Sequence, residues 1–216
     1  MIKELLNYYA VNGSYVMEQF MRHFLISSYG VIFACIVGIP VGFIIARKHK
    51  MSKVIIGFAN VLQTVPSLAM LAILMLGLGI GANTVIVSVF LYSLLPIISN
   101  TVTALKSINN NILDAATGMG MTKFQRLMKI EVPLSISVIM GGIRNALVIA
   151  IGVTAVGTFI GAGGLGDIIA RGISVANGEA IILAGALPTA LMAVLADVIL
   201  GYFEKRLMPK IATRIH

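Results

Sequence analysis

Long runs of uncharged residues, most of them apolar, alternate along the chain with short basic segments. The run 24–46 is long enough to cross about 30 Å of hydrocarbon as a helix. The uncharged run 54–105 is too long for one such helix, and it divides into two at the glycine-rich stretch 77–83. Two later runs each contain a single charged residue. The pattern predicts five membrane helices, at about residues 24–46, 54–77, 83–105, 134–160 and 180–203.

The composition is that of a membrane protein. Hydrophobic residues make up 58% of the 216 residues, charged residues make up 11%, and the mean hydropathy is +0.99. A soluble domain carries about 25% charged residues. Because helices satisfy their backbone hydrogen bonds internally, we expect an all-α integral membrane protein. Prolines fall inside or near these helices at positions 40, 66, 96 and 188, and such kinks are tolerated in a bundle because neighbours satisfy the freed backbone groups.

Lysine and arginine are unevenly distributed among the segments that connect the predicted helices. Of the 16 basic residues, 12 lie within 47–53, 106–129 and 205–214, four in each segment. The positive-inside rule places these segments in the cytoplasm, with the N-terminal segment 1–22 outside the cell and the tail 205–216 inside. Because the basic residues are scattered over alternate loops, the sequence indicates contact with membrane lipid and no nucleic-acid partner.

The segments outside the predicted helices are too short to hold a catalytic domain. The sequence has no G-x-x-x-x-G-K-[ST] phosphate-binding loop, and its one cysteine and three histidines lack metal-ligand spacing. Residues 161–166 satisfy G-x-G-x-x-G, but a membrane helix precedes them and no βαβ unit surrounds them. We interpret these residues as a turn, and we expect no catalytic residue, cofactor or metal in this chain.

The cytoplasmic loop 106–133 carries the capping signals of two short helices. Asn111 is a candidate N-cap for the first helix, and Gly120 permits a turn after it. Thr122 and Gln125 form a T-x-x-Q capping box for the second helix. On residue chemistry alone, this helix–turn–helix fits either a docking surface for a partner or a plain amphipathic connector.

Part of this loop follows a characteristic order of residues. It reads Asp114-Ala115-Ala116, then Gly120 after three residues, Ile130 after nine more, and Val132-Pro133 after one. This order resembles the EAA signature of permease subunits in ATP-binding-cassette (ABC) importers, with Asp in place of Glu and Val in place of Leu. The segments 63–69 and 161–167 look like those of the osmoprotectant permeases, which serve glycine betaine, carnitine and choline uptake. Methionine permeases share a similar glycine-rich loop, so an amino acid such as methionine stays an alternative substrate.

The resemblance implies a type I ABC importer permease fold, with a transmembrane domain over residues 23–204 and a coupling loop at 106–133. It implies two permease subunits, as a homodimer or with a paralogue, in the membrane of a bacterial cell. Each would dock an ABC ATPase subunit, and an extracellular substrate-binding protein would deliver the solute. The residues that the resemblance implies in ATPase coupling are Asp114, Ala115, Ala116, Gly120, Ile130 and Pro133.

Polar residues within the predicted membrane helices are candidates for lining a transport pathway, and each could equally hydrogen-bond a neighbouring helix. Arg144 and Asp197 are expected to bridge the fourth and fifth helices, because charges inside a membrane face the bundle interior and pair. Tyr8, Tyr9 and Tyr15 are expected to anchor the outer segment at the interface. The pathway candidates are Asn60, Gln63, Thr64, Ser67, Asn100, Thr101 and Asn145.

Two other functional classes remain open on the sequence. An ion-coupled secondary carrier would need acidic residues inside the membrane, and only Asp197 qualifies. A structural or assembly subunit without a pathway of its own is the second. Since the chain has no Trp and its aromatic residues are spread along the sequence, tight selection of a quaternary ammonium solute is expected in another subunit.

Overall fold

The computed structural model describes residues 1–208, and these residues form helices and short turns without a β-strand. Four helices are long and apolar enough to cross a membrane, and a bent pair makes a fifth if it counts as one span. This architecture confirms the predicted all-α membrane fold. The helices are α1 Ile2–Ile45, α2 His49–Thr64, α3 Ser67–Leu78, α4 Ala82–Lys106, α5 Asn110–Gly118, α6 Lys123–Arg126, α7 Val132–Val156, α8 Leu165–Ile173 and α9 Glu179–Arg206.

The first helix, α1, is longer than the predicted span 24–46. It begins at Ile2 and runs through the predicted outer segment, with one residue of non-helical backbone at Asn12. The predicted start of the span rests on the last charged residue before it, and charged residues on an exposed helix face do not interrupt a helix. At the other end of the chain, residues 209–216 of the predicted cytoplasmic tail lie outside the described residues.

The predicted second span, 54–77, is broken into α2 and α3, whose axes differ by 99°. Pro66 disfavours helical backbone in the residue before it, and Val65 is accordingly extended, with φ −68° and ψ 128°. The hydroxyl of Tyr92 on α4 donates a hydrogen bond to the carbonyl of Val65. The elbow between α2 and α3 is therefore bonded to α4 at its turning point.

A second proline explains why α2 lies against α4. Pro96 has no N–H, so the carbonyl of Tyr92, four residues earlier in α4, lacks its helical donor. The side-chain amide of Gln63 on α2 donates to that carbonyl at 2.8 Å. This contact confirms the expectation that neighbouring side chains would satisfy the carbonyls that prolines free.

Pro188 in α9 is compensated in the same way. The carbonyl of Ala184, four residues before it, accepts a 3.1 Å hydrogen bond from the hydroxyl of Tyr9. Tyr15 donates to the carboxylate of Asp167 on α8. These tyrosines thus bond to the bundle itself, whereas the sequence analysis assigned them to interfacial anchoring.

The core lies where α1, α4 and α7 pack side by side. A stripe of small residues on α1 recurs every fourth position and lets α4 approach closely, as is common between membrane helices. A Cβ added at Gly30 would lie under 3.0 Å from the side chain of Val89, and one at Gly42 would lie 2.6 Å from Thr101 Cβ. The stripe consists of Gly30, Ala34, Gly38 and Gly42.

The glycine-rich segment 161–166 forms a tight turn over residues 161–164, between the 3-10 turn Gly157–Ile160 that follows α7 and the first residues of α8. Gly161, Gly163 and Gly164 have positive φ. The Gly164 N–H donates to the side chain of Gln19 on α1 at 2.8 Å. The predicted turn is confirmed, and it is held against the first helix.

Candidate transport cavity and coupling loop

A cavity of about 450 Å³ lies between α2, α4, α7 and α9. Four of the seven predicted pathway residues line it: Asn60, Gln63, Asn100 and Asn145. Asp197, which was predicted to pair with Arg144 and not to line a pathway, also lines it. The remaining wall residues are Ile56, Leu95, Pro96, Ser99, Val148 and Ile149.

The other three pathway candidates do not line this cavity. Thr64 donates to the carbonyl of Val61 at 2.7 Å, and Ser67 begins α3 beyond the elbow. Thr101 is fully buried against α1 and donates to the carbonyl of Ile97 at 2.7 Å. Serine and threonine hydroxyls readily bond their own helix backbone, so a polar residue in a membrane helix need not face a pathway.

Arg144 on α7 lies between two carboxylates of α9. Its Nε is 3.0 Å from Asp197 Oδ1, and its Nη1 donates to Glu204 Oε2 at 3.0 Å. Its Nε makes no aligned hydrogen bond, so the contact with Asp197 is electrostatic. Gly201 leaves room for the guanidinium, since a Cβ there would lie 3.0 Å from Nη1. The structure brings together the pair that the sequence suggested.

Glu204 is the member of this cluster that sequence reasoning missed. It follows Asp197 by seven residues, two helical turns along the same face of α9. That spacing was a usable signal, but Glu204 lies one residue beyond the predicted helix 180–203 and was not considered as a partner for Arg144. Within residues 1–208, no cluster of three or more His, Cys, Asp and Glu residues has a geometry that could hold a metal ion.

The first helix of the coupling loop, α5, is capped by Asn109 and not by Asn111. The Asn109 side chain accepts a hydrogen bond from the Asn111 N–H at 2.9 Å, which makes Asn111 the second residue of the helix. The helix ends at Gly118, and Gly120 turns the chain with a φ of 78°. The α5 helix therefore begins two residues earlier than an Asn111 cap would allow.

The predicted capping box of the second helix is confirmed. The Gln125 N–H donates to Thr122 Oγ1 at 3.3 Å, and the Thr122 N–H donates to Gln125 Oε1 at 2.9 Å. A π-helical turn, Leu127–Glu131, joins this helix to α7, which begins at Val132. Pro133 lies in the first turn of α7, where its missing N–H costs little.

The residues implied in ATPase coupling divide between two faces. Asp114, Ala115 and Gly120 are exposed, whereas Ala116 is fully buried within the fold. Ile130 is half-buried in the π-helical turn. The small-residue surface available to a partner is therefore narrower than the sequence predicted, because successive helical residues point in directions about 100° apart.

Glu131, which the sequence analysis did not single out, connects this loop to the membrane helices. Its buried carboxylate contacts Arg47, which follows α1, and Arg126 Nε at 3.1 Å. Arg126 also donates to Thr117 Oγ1 on α5 at 3.2 Å. Glu131, directly and through Arg126, thus joins the end of α1, the loop helix α5 and the start of α7. It is one of two acidic residues in the otherwise basic loop, and that was the signal available.

A second charged cluster lies at the opposite end of α7, around the glycine-rich turn. Asp167 on α8 accepts hydrogen bonds from Tyr15 and, at 2.8 Å, from Arg171 Nε. The carboxylate raises the pKa of Arg171 by direct charge attraction. The guanidinium carbon lies 5.0 Å from the centre of the Tyr15 ring, in a cation–π arrangement. These contacts hold α8 to α1.

Comparison with known proteins finds a family and close relatives. A family profile described as "Binding-protein-dependent transport system inner membrane component" matches residues 38–209. The carnitine transport permease protein OpuCD of Listeria monocytogenes serotype 1/2a (strain 10403S) is 62% identical over 96% of this chain and 93% of its own. The glycine betaine/carnitine/choline transport system permease protein OpuCD of Bacillus subtilis (strain 168) is 61% identical over 96% and 91%.

A solved structure shares the fold at low sequence identity. A chain of the MetNI methionine ABC transporter, in an inward-facing conformation, superimposes with a TM-score of 0.79. The match covers 90% of this chain and 96% of the other at 18% identity. At that identity the likeness extends to the arrangement of helices and not to the substrate.

Proposed function

The chain belongs to the family of binding-protein-dependent transport system inner membrane components, and on that premise we propose that it is the permease subunit of an ATP-driven importer. The transported solute is a small compatible solute such as glycine betaine, carnitine or choline. The observation that carries this proposal is the 62% identity, over 96% of the chain, to a carnitine transport permease. The likeness to a methionine transporter is 18% identical and concerns the fold, so methionine is disfavoured as the substrate.

In this proposal the partner on the cytoplasmic side is an ABC ATPase subunit, which docks on α5. Asp114 and Ala115 are exposed there, and the turn at Gly120 leaves the end of the helix uncovered. The contacts of Glu131 then carry movement of α5 to α1 and α7. The chain itself performs no ATP hydrolysis. An extracellular binding protein delivers the solute on the side of residues 1–22, which supposes the N-terminus outside and the tail inside.

The cavity supports a second permease subunit. Asn60 and Asn145 line it and are exposed in the single chain. Polar side chains at this depth face a bundle interior or a water-filled cavity and not lipid. A second permease, either another copy or a paralogue, would cover the open side and complete the pathway.

Substitution of Gly120 tests the docking surface. Gly120 has a φ of 78° and no heavy atom within 4 Å of an added Cβ, so Gly120→Val strains the turn and adds bulk to the exposed surface. Gly161, in the turn before α8, also has positive φ, 76°, with equally open surroundings, so Gly161→Val is the matched control. We expect Gly120→Val to lower ATPase co-purification and solute uptake together, and Gly161→Val to leave ATPase co-purification unchanged.

Uptake of glycine betaine, carnitine, choline and methionine is measured in a strain lacking the native subunit. Full ATPase recovery and full uptake for Gly120→Val would refute the docking assignment. Uptake of methionine alone would refute the substrate assignment. Asp114→Glu should be tolerated because it keeps the charge, whereas Asp114→Lys should reduce ATPase binding.

A further inference from the structure

The wall of the cavity between α2, α4, α7 and α9 carries negative charge and no positive charge among its described residues. Most of its lining is amide, hydroxyl or aliphatic, and Asp197 is the one charged residue among the described residues that line it. Its side chain remains 49% exposed in the single chain, compared with 27% for Glu204. A carboxylate that contacts the cavity is therefore available to a solute inside it.

The charge of Asp197 is not cancelled by its partner. Arg144 is shared between two carboxylates, so the cluster of Arg144, Asp197 and Glu204 carries one negative charge in excess. The aligned hydrogen bond from Arg144 goes to Glu204, while its Nε has no aligned acceptor. The excess charge is consequently held closest to the cavity, on the Asp197 carboxylate.

We propose that Asp197 is the contact for the trimethylammonium group of the solute as it passes through the cavity. This inference rests on the proposed function, since glycine betaine, carnitine and choline share that cationic group. None of the described residues that line the cavity is aromatic, so this lining does not form the cation–π cage that gives tight binding of quaternary ammonium groups. A single carboxylate among amides suits a contact that forms and breaks during transport.

Charged thiol reagents report the electrostatic potential at the cavity wall, and the measurement does not require transport. Cys35 is replaced with serine, and Asn145→Cys places a reporter on the cavity wall. The rates of modification by a trimethylammonium-ethyl methanethiosulfonate and by its sulfonate counterpart are then compared. At the dielectric constant of water, a unit charge about 8 Å away changes the ratio of the two rates about fivefold.

We expect Asp197→Asn to lower the ratio of cationic to anionic modification by about fivefold or more, and Glu204→Gln to lower it by less than about twofold. Asp197→Glu keeps the charge and should retain the ratio. Excess glycine betaine should slow the cationic reagent in the parent chain and not in Asp197→Asn. The Glu204→Gln control also breaks a contact of Arg144, and it therefore reproduces any loss that arises from helix packing alone.

Equal decreases in the ratio of cationic to anionic modification for Asp197→Asn and Glu204→Gln would overturn the proposal. The ratio would then reflect the net charge of the cluster around Arg144 and not a specific contact with Asp197. An unchanged ratio in Asp197→Asn would overturn it as well. These rates are independent of uptake, so failure of the proposed function appears separately, as absence of uptake of all three solutes by the parent chain with its ATPase. With uptake present, Asp197→Asn should reduce the uptake of choline, which has a net charge, more than that of glycine betaine, which has none.

Discussion

Replacement of Glu131 tests whether the coupling loop is tied to the membrane helices by one buried carboxylate. The carboxylate is 6% exposed, and its two partners differ, since Arg126 is 18% exposed and Arg47 is 53% exposed. A hydrogen bond to a charged group contributes about 1.5–3 kcal/mol when it is buried. An ion pair open to water contributes about 0–1 kcal/mol. Glu131→Gln should therefore lower the free energy of unfolding by about 2–3 kcal/mol, mostly through Arg126.

The losses in free energy of unfolding for Glu131→Gln, Arg126→Ala and Arg47→Ala should rank by how deeply the broken contact is buried. Arg126→Ala leaves a buried carboxylate with only a half-exposed partner and also removes the contact with Thr117, so it should cost the most, about 3–5 kcal/mol. Arg47→Ala should cost no more than about 1 kcal/mol. For a chain of this size, 1 kcal/mol shifts the Tm by roughly 2–4 °C, so Glu131→Gln should lower the Tm of the purified subunit by roughly 4–12 °C.

The assay is thermal unfolding of the purified subunit in detergent, paired with uptake by the assembled transporter. Because α5 stays exposed in Glu131→Gln, ATPase co-purification should persist while uptake per bound ATPase falls. An Arg47→Ala variant as unstable as Arg126→Ala would refute the weighting by burial. Unchanged uptake per bound ATPase in Glu131→Gln would refute a role in transmission.

Three further predictions concern other parts of the molecule. Gly166→Ala places a Cβ under 3.0 Å from a backbone carbonyl of α7, so it should lower the free energy of unfolding by about 3 kcal/mol. Gly152→Ala adds its Cβ in open space and should not, and equal Tm values for the two variants would contradict this prediction. Lys123 should be protected from impermeant amine reagents in intact cells while Lys3 reacts, and labelling of Lys123 from outside would invert the topology. Tyr9→Phe should cost about 1–3 kcal/mol in thermal unfolding, and a neutral result would mean that water replaces its hydroxyl.

The helical class and the positions of most membrane helices follow from the sequence because charge-free length is a direct consequence of bilayer thickness. The elbow at Pro66 does not follow, because a proline in a membrane helix can kink it slightly or break it. Which outcome occurs depends on a partner such as Tyr92, which is distant in sequence. The start of α1 was also beyond reach, because charge marks where hydrocarbon ends and not where a helix ends.

The candidate site, too, could be predicted only in part from the sequence. Asparagine and glutamine on the α2, α4 and α7 faces converged on one cavity, whereas Thr64 and Thr101 bonded to their own helices. Sequence alone does not distinguish these cases, since Asn100 also donates to a carbonyl of its own helix, that of Pro96, and nevertheless lines the cavity. Glu131 was not predicted, because its partner Arg47 lies 84 residues away in the sequence and only folding brings the two together. Its other partner, Arg126, lies 5 residues away.

The hydrogen bond from Tyr9 to Ala184 joins the first helix to the last, which makes the order of synthesis matter. The donor leaves the ribosome early, and the acceptor enters the membrane after every other described helix. Until the two meet, α9 carries a carbonyl that Pro188 has deprived of its helical donor. The backbone hydrogen bonding of α9 is therefore completed by a side chain of α1. The helix made last among the described ones must pack against the one made first, and not only against the helix made just before it.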